Sequence, residues 1–185
     1  GTLDATFDRT FDFDGELTSM LVHADGKVVV IGSFTGPAGS VLDRRFVRLN
    51  ADGTVDGTFG SASGLNSPAY AIAAHPDGGI VLAGGFTQSG TSVYHGVVKL
   101  TADGVIDPGF APPTPASSAQ FQAVAVEADG SLVLRGAFGF ELPDGTTRTE
   151  PVIRLSADGL RDEDFSCFGE PYWLRINDAT ISADG

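Results

Sequence analysis

The sequence predicts an all-β repeat chain, and three observations carry that prediction. The first is a recurring stretch: LNADGTVDGTF at 49–59 returns as LTADGVIDPGF at 100–110 and LSADGLRDEDF at 155–165, and its tail opens the chain through Leu3, Asp4 and Phe7. The steps between the phenylalanines are 59−7 = 52, 110−59 = 51 and 165−110 = 55, a period that belongs to arrays and propellers. The second is another stretch between these copies: HADGKVVVIGSFT from 23, HPDGGIVLAGGFT from 75 and EADGSLVLRGAF from 127, with SADG at 182–185. The third is the flanking of every Asp-Gly by β-prone residues, a strong hairpin signal. No segment sustains a helical period. Four short antiparallel strands per ~52 residues, apolar on both faces, describe a β-propeller blade, and about three and a half such blades are present.

The whole of 1–185 reads as one propeller segment, with repeats near 8–59, 60–110 and 111–165 and partial blades at 1–7 and 166–185. In the second repeat the strands are expected near 69–74, 79–85, 96–100 and 105–110. The first carries small residues (Ala69, Ala71, Ala73, Ala74), which lets a neighbouring strand approach. The second is apolar at consecutive positions (Ile80, Val81, Leu82, Ala83; before it Val28, Val29, Val30, Ile31), as for a strand covered on both sides. Pro76 suits the second position of a type I turn, and the glycine two residues on suits a G1 bulge, so three-residue Ala/Pro-Asp-Gly loops are predicted in both hairpin families. That register sets Asn50 opposite Thr54, Leu49 opposite Val55 and Arg48 opposite Asp56. It then places Lys99 opposite Asp107 and Arg154 opposite Asp162, so three of eleven cations face acids at one repeat position. Strand direction puts both Asp-Gly turns at one end of a blade. The long connections 36–44, 88–95 and 139–150, and the crossings 8–16, 60–68, 111–120 and 166–173, fall at the other.

Composition bounds the function. Twenty-five glycines and ten prolines beside 42% apolar residues fit many turns between short buried segments, and a chain of this size can bury about 70% of its unfolded surface. The net charge is −13, and Lys27 and Lys99 are the only lysines. This argues against nucleic acid and anionic membranes, whose binding relies on Lys and Arg. Cys167 is the sole cysteine, so no internal disulfide forms. No apolar run approaches the ~20 residues of a membrane span, and no signal-peptide pattern opens the sequence.

The paired phrases PDGGIVLAGGFT and LNADGTVDGTF resemble the delta-60 repeat, an uncharacterised bacterial β-propeller repeat, along essentially the whole chain. The resemblance implies a large secreted or cell-surface protein without shared catalytic residues. Arg135 departs from the pattern, standing where the other copies have Ile31 and Ala83.

The search for chemistry yields few candidates. His23 and His75 share a repeat position with Glu127 and read as turn flanks. An EF-hand counted from Gly15 fails at both ends, with Thr10 first and Leu21 twelfth. A looser Ca2+ site from Asp12, Asp14 and Glu16 is the one cofactor candidate. No catalytic residue is assigned, since there is no nucleophile elbow and no histidine near Cys167. Phe7, Phe59, Phe110, Phe165, Phe34, Phe86 and Phe138 repeat and read as blade packing. Phe11, Phe13, Tyr94, His95, Phe140, Tyr172 and Trp173 do not repeat and fall in or near the long connections, where a propeller places recognition.

The expectation is therefore a non-enzymatic extracellular scaffold that binds a protein or glycan. A propeller hydrolase or lyase with a channel metal or carboxylates is the first alternative, and an architectural assembly subunit the second. An open arc leaves a blade face uncovered, so the remaining blades are expected from the same longer chain or from a second copy.

Overall fold

Three antiparallel sheets follow one another along the chain, each built from one repeat. The computed structural model describes residues 4–8, 14–35, 45–60, 65–89, 92–116, 119–141 and 144–165. Blade 1 contains β1 (Asp14–Val22), β2 (Val28–Thr35) and β3 (Phe46–Leu49), in that order. Blade 2 contains β4 (Ala69–Ala74), β5 (Ile80–Gly84) and β8 (Val97–Leu100), with a small hairpin of β6 (Gln88–Ser89) and β7 (Ser92–Val93) outside its sheet. Blade 3 contains β9 (Gln120–Val126), β10 (Leu132–Glu141) and β11 (Thr147–Leu155). These are the blades of a partial β-propeller.

The predicted hairpin register is the observed one. The Asn50 amide donates to the Thr54 carbonyl (2.8 Å) and the Gly53 amide to the Asn50 carbonyl (2.9 Å). Leu49 bridges Val55, Leu100 bridges Ile106 and Leu155 bridges Arg161. The turn glycines that close these loops, Gly53, Gly104 and Gly159, all have positive φ, which a side chain would resist.

The fourth strand of each blade is shorter than the sequence suggests, shrinking to that single bridge. Its cause is the aspartate that follows. The carboxylates of Asp56, Asp107 and Asp162 each accept the backbone N–H two residues on (3.0, 2.8 and 3.0 Å), and Asp4 does the same for Thr6 (2.8 Å). This Asx turn diverts the backbone from the ladder after one residue. The Asp-x-x-Phe segment then leaves its blade as a clip.

Three clips are seated on the turn of the next blade. The amide after each phenylalanine donates to a turn aspartate carbonyl: Asp8 to Asp52 (2.6 Å), Gly60 to Asp103 (3.0 Å) and Ala111 to Asp158 (2.9 Å). Each phenylalanine ring lies against the turn glycine, so a Cβ on Gly104 would come 2.8 Å from the Phe59 ring.

Between sheets, the apolar positions of the second strand divide. Val29, Ile31 and Phe46 of blade 1 join Ile80, Leu82, Phe86, Val98 and Leu100 of blade 2 in one core cluster. Val81, Ala83 and Val97 of blade 2 join Leu132, Leu134, Phe138, Ile153 and Leu155 of blade 3 in the next. A strand buried on both faces thus feeds two interfaces. The first strands also lie side by side: β1 packs beside β4, and β4 beside β9. Each carries a bulge opposite a recurring glycine (Gly32, Gly84, Gly136), whose Cβ would overlap the facing backbone. At the first of these bulges, the Thr18 hydroxyl crosses to the Ala69 carbonyl of blade 2 (2.8 Å).

Two connections expected as loops hold strand structure instead. The stretch 88–95 contains β6 and β7, and 139–150 is largely an extension of β10 and β11, in which Phe140 pairs with Arg148 and Glu150 with Phe138. In blade 3 the second and third strands run past the end of the first, and there each supplies the other's backbone hydrogen-bond partners.

Candidate functional site

The charged residues that recur in sequence converge at the turn end of each blade. In blade 1, Asp56 accepts Lys27 Nζ (2.9 Å) and Arg48 Nε (3.0 Å) on one oxygen, and the Thr58 hydroxyl (2.6 Å) on the other. In blade 2, Lys99 Nζ lies 2.6 Å from Asp77 and 3.0 Å from Asp107, and His75 Nδ1 lies 2.7 Å from Asp77. In blade 3, Arg154 pairs with Glu127 and lies 3.8 Å from Asp162. Each cluster ties the first Asp-Gly turn of its blade to the second, so both turns share one end, as strand direction requires. Two of them also reach the next blade: Arg48 Nη1 donates to the Ala102 carbonyl (2.7 Å), and His75 Nε2 lies 3.2 Å from the Gly130 carbonyl.

These contacts set the ionisation of the acids. Asp56 is held well below the usual carboxylate range, first by the Thr58 hydroxyl and then, against the penalty of burial, by Lys27 and Arg48. For Asp77, burial works against ionisation, but Lys99, the Gly79 amide and His75 outweigh it and the pKa falls. Asp107 is lowered by the Gly109 amide and by Lys99. Burial lowers Lys99, but its bonds to Asp77 and Asp107 raise it further. The clusters are structural, because their charges face one another.

A different constellation lies on blade 3, between its clip, the crossing loop and the extended hairpin. A cleft of about 610 Å³ opens between the crossing loop at 113–116 and the extended β10–β11 hairpin, within the usual size range of binding sites. The loop is held to the hairpin by the Ala116 amide, which donates to the Gly139 carbonyl (2.8 Å). Phe138 and Phe140 form the apolar wall, and Glu141, Arg161 and Glu163 the polar one. The Arg161 guanidinium lies 3.8 Å above the centre of the Phe140 ring, a cation–π distance. Its Nη2 donates to Glu150 (3.0 Å) and its Nη1 lies 3.5 Å from Glu163. Glu150 is buried, with Arg148 Nε 3.8 Å from its second oxygen, whereas Glu163 and Glu141 stand exposed at the rim.

Among the described residues, Phe140 is the one sequence candidate that lines this cleft. Tyr94 packs against the core cluster between blades 1 and 2, its amide donating to the Thr87 carbonyl (2.9 Å), and His95 beside it is partly buried. Phe11, Phe13, Tyr172 and Trp173 lie outside the described residues. So does Asp12 of the calcium candidate. Asp14 pairs with Thr35 on β1, and Glu16 pairs with Ser33 and is exposed. Among the described residues no group of three or more His, Cys, Asp or Glu side chains is placed to hold a metal ion. No helix there is long and apolar enough to cross a membrane.

The sequence reading passed over Arg161, Glu150 and Glu163. The available signal was a departure from the repeat: Arg161 stands where the other copies have Val55 and Ile106, apolar positions that pack toward the preceding face.

The fold and its repeated clips define a β-propeller repeat protein. A family model described as "Domain of unknown function (DUF5122) beta-propeller" matches residues 23–59 and 75–110, so the chain is similar to a β-propeller repeat family of unknown function. Each matched segment runs from the first turn of a blade to its clip phenylalanine, in blades 1 and 2. No curated protein and no solved structure matches the chain.

Proposed function

We propose that the chain is a non-enzymatic propeller scaffold that holds a protein partner at the blade 3 cleft, through an extended segment of that partner. One observation carries this reading. The recurring charges are tied up in clusters that join turns, whereas Phe140, Arg161 and Glu163 are non-recurring and gathered on a cleft. A protein segment suits the site better than a glycan, because the ring face of Phe140 that a sugar would stack on is covered by Arg161. Apolar side chains would lie against the phenylalanines and the proline loop. A basic residue would meet Glu141 and Glu163, in keeping with a chain of net charge −13. A secreted or cell-surface setting and the narrower delta-60 assignment rest on the sequence resemblance.

Panning random displayed peptides against the full chain tests the proposal. Enriched peptides should pair apolar with basic residues, and Phe140→Ala should weaken them about tenfold or more by calorimetry, below the melting temperature of both proteins. Glu141→Gln with Glu163→Gln should weaken the basic peptides selectively. No enrichment, or peptides indifferent to all three substitutions, would overturn the cleft as the site.

A further inference from the structure

Blade 3 carries a strand edge that the repeat does not use. β11 is the outermost strand of its sheet, in the order β11-β10-β9. It runs for nine residues where β8, the matching strand of blade 2, has four. The matching part is 152–155, whose outer side meets the fourth strand through the Leu155–Arg161 bridge and the Asp162 amide on the Arg154 carbonyl. Residues 147–151 lie beyond that reach. On their inner side Thr147, Arg148, Thr149 and Glu150 pair with β10. On their outer side no strand lies beside them among the described residues. Thr147, Arg148 and Thr149 are exposed, so solvent reaches this edge.

Backbone groups along a strand turn alternately to one side and the other. Every second residue of 147–150 therefore presents an N–H and a C=O that β10 does not take. Pro151 ends the row, having no N–H. It stands opposite the bulge between Arg135 and Phe138, one of the places where a sheet accepts proline.

The same stretch borders the cleft. Phe140 pairs with Arg148 and Glu141 with Thr147. The Arg161 guanidinium touches both the Glu150 carboxylate (3.0 Å) and the Phe140 ring (3.8 Å to its centre), so Glu150 and Phe140 share a face. A strand laid beside β11 would turn alternate side chains onto that face.

We infer that the partner segment binds as an added strand on the outer edge of β11, pairing with residues 147–150 and turning every second side chain toward the cleft. The inference rests on the cleft reading above and deepens it. A peptide backbone matches the edge because its donors and acceptors recur at the same spacing, about 3.3 Å per residue. A basic side chain on the cleft face meets Glu163, which is 75% exposed. A second copy of the chain suits the edge less well, since two chains of net charge −13 repel.

Hydrogen exchange on the full chain, with the tightest peptide from the panning above, tests the added strand. At saturation the outward amides of 147–150 should exchange at least about tenfold more slowly. N-methylation along the peptide should weaken binding by at least about tenfold at every second residue, and little at those between. Phe140→Ala separates this inference from the reading it rests on. A peptide weakened by that substitution, with no slowing at 147–150 and no alternation, keeps the cleft as the site and overturns the added strand. Failure to find any binding peptide overturns both. Slowing at 147–150 that appears without peptide as protein concentration rises shows a second copy on the edge and overturns the choice of occupant.

Discussion

Asp56 joins three elements through one carboxylate. It closes its own Asx turn onto Thr58, faces Arg48 across the second hairpin and draws in Lys27 from the first. Removing the charge while keeping the shape, as in Asp56→Asn, leaves Arg48 largely buried beside Lys27 with no countercharge. The expected loss at pH 7 is about 3 kcal/mol, by urea denaturation, since breaking a buried pair from one side is costly. The pH dependence follows from the direction of the shift. The folded-state pKa of Asp56 is depressed, so its contribution is full above the unfolded carboxylate value of about 3.9 and declines as pH falls below it. The wild-type advantage over Asp56→Asn should therefore be constant from neutral pH down to about 5 and shrink steadily below about 4. The Arg48–Asp56 pairing could be read from the sequence, because hairpin register follows from turn length. Lys27 could not, since it belongs to a different hairpin, and turn length fixes register within one hairpin but not between two.

The clip is the element that joins blades, and its seat depends on a turn without a side chain. A Cβ on Gly104 would meet the Phe59 ring at 2.8 Å and the Gly60 nitrogen at 2.9 Å, at a φ of +77°. Gly104→Ala should cost at least about 2 kcal/mol, combining backbone strain with loss of the seat. Gly57→Ala, at a position with nothing within 4 Å, should change stability by no more than about 0.5 kcal/mol. Thermal unfolding of the two variants side by side decides the matter. Hairpin turns and buried second strands were legible because their signals are local: Asp-Gly between β-prone residues, and four apolar residues in succession. The shortened fourth strand was hidden, because Asp56, Asp107 and Asp162 read equally well as cross-strand partners and as turn makers. In the fold they do both. The β10–β11 extension was hidden too, since residues 139–150 differ from the other copies in length and offer no repeat to compare.

At the scale of the molecule, stability should divide by interface rather than by blade. Among the described residues blade 1 packs on blade 2 and blade 2 on blade 3, so the chain approximates a one-dimensional array with nearest-neighbour coupling. Phe59→Ala removes the seated clip between blades 1 and 2 and is expected to cost about 3–4 kcal/mol. Hydrogen exchange should quicken in β1–β5 and β8 while β9–β11 keep most of their protection. Uniform loss across all three sheets would instead mean that the array unfolds as one unit.

The offset between sheet and clip has an evolutionary consequence. Each unit of fifty-odd residues ends in a phenylalanine that fits the unit after it and contains a turn that fits the unit before it. An in-frame duplication, wherever it starts within the unit, therefore copies both halves of the fastening at once. The array can gain or lose members by recombination without inventing a new contact. Blade 3, with Arg161 in place of an aliphatic residue and a lengthened hairpin, shows how a copied unit can then diverge on its outer edge while its fastenings stay interchangeable.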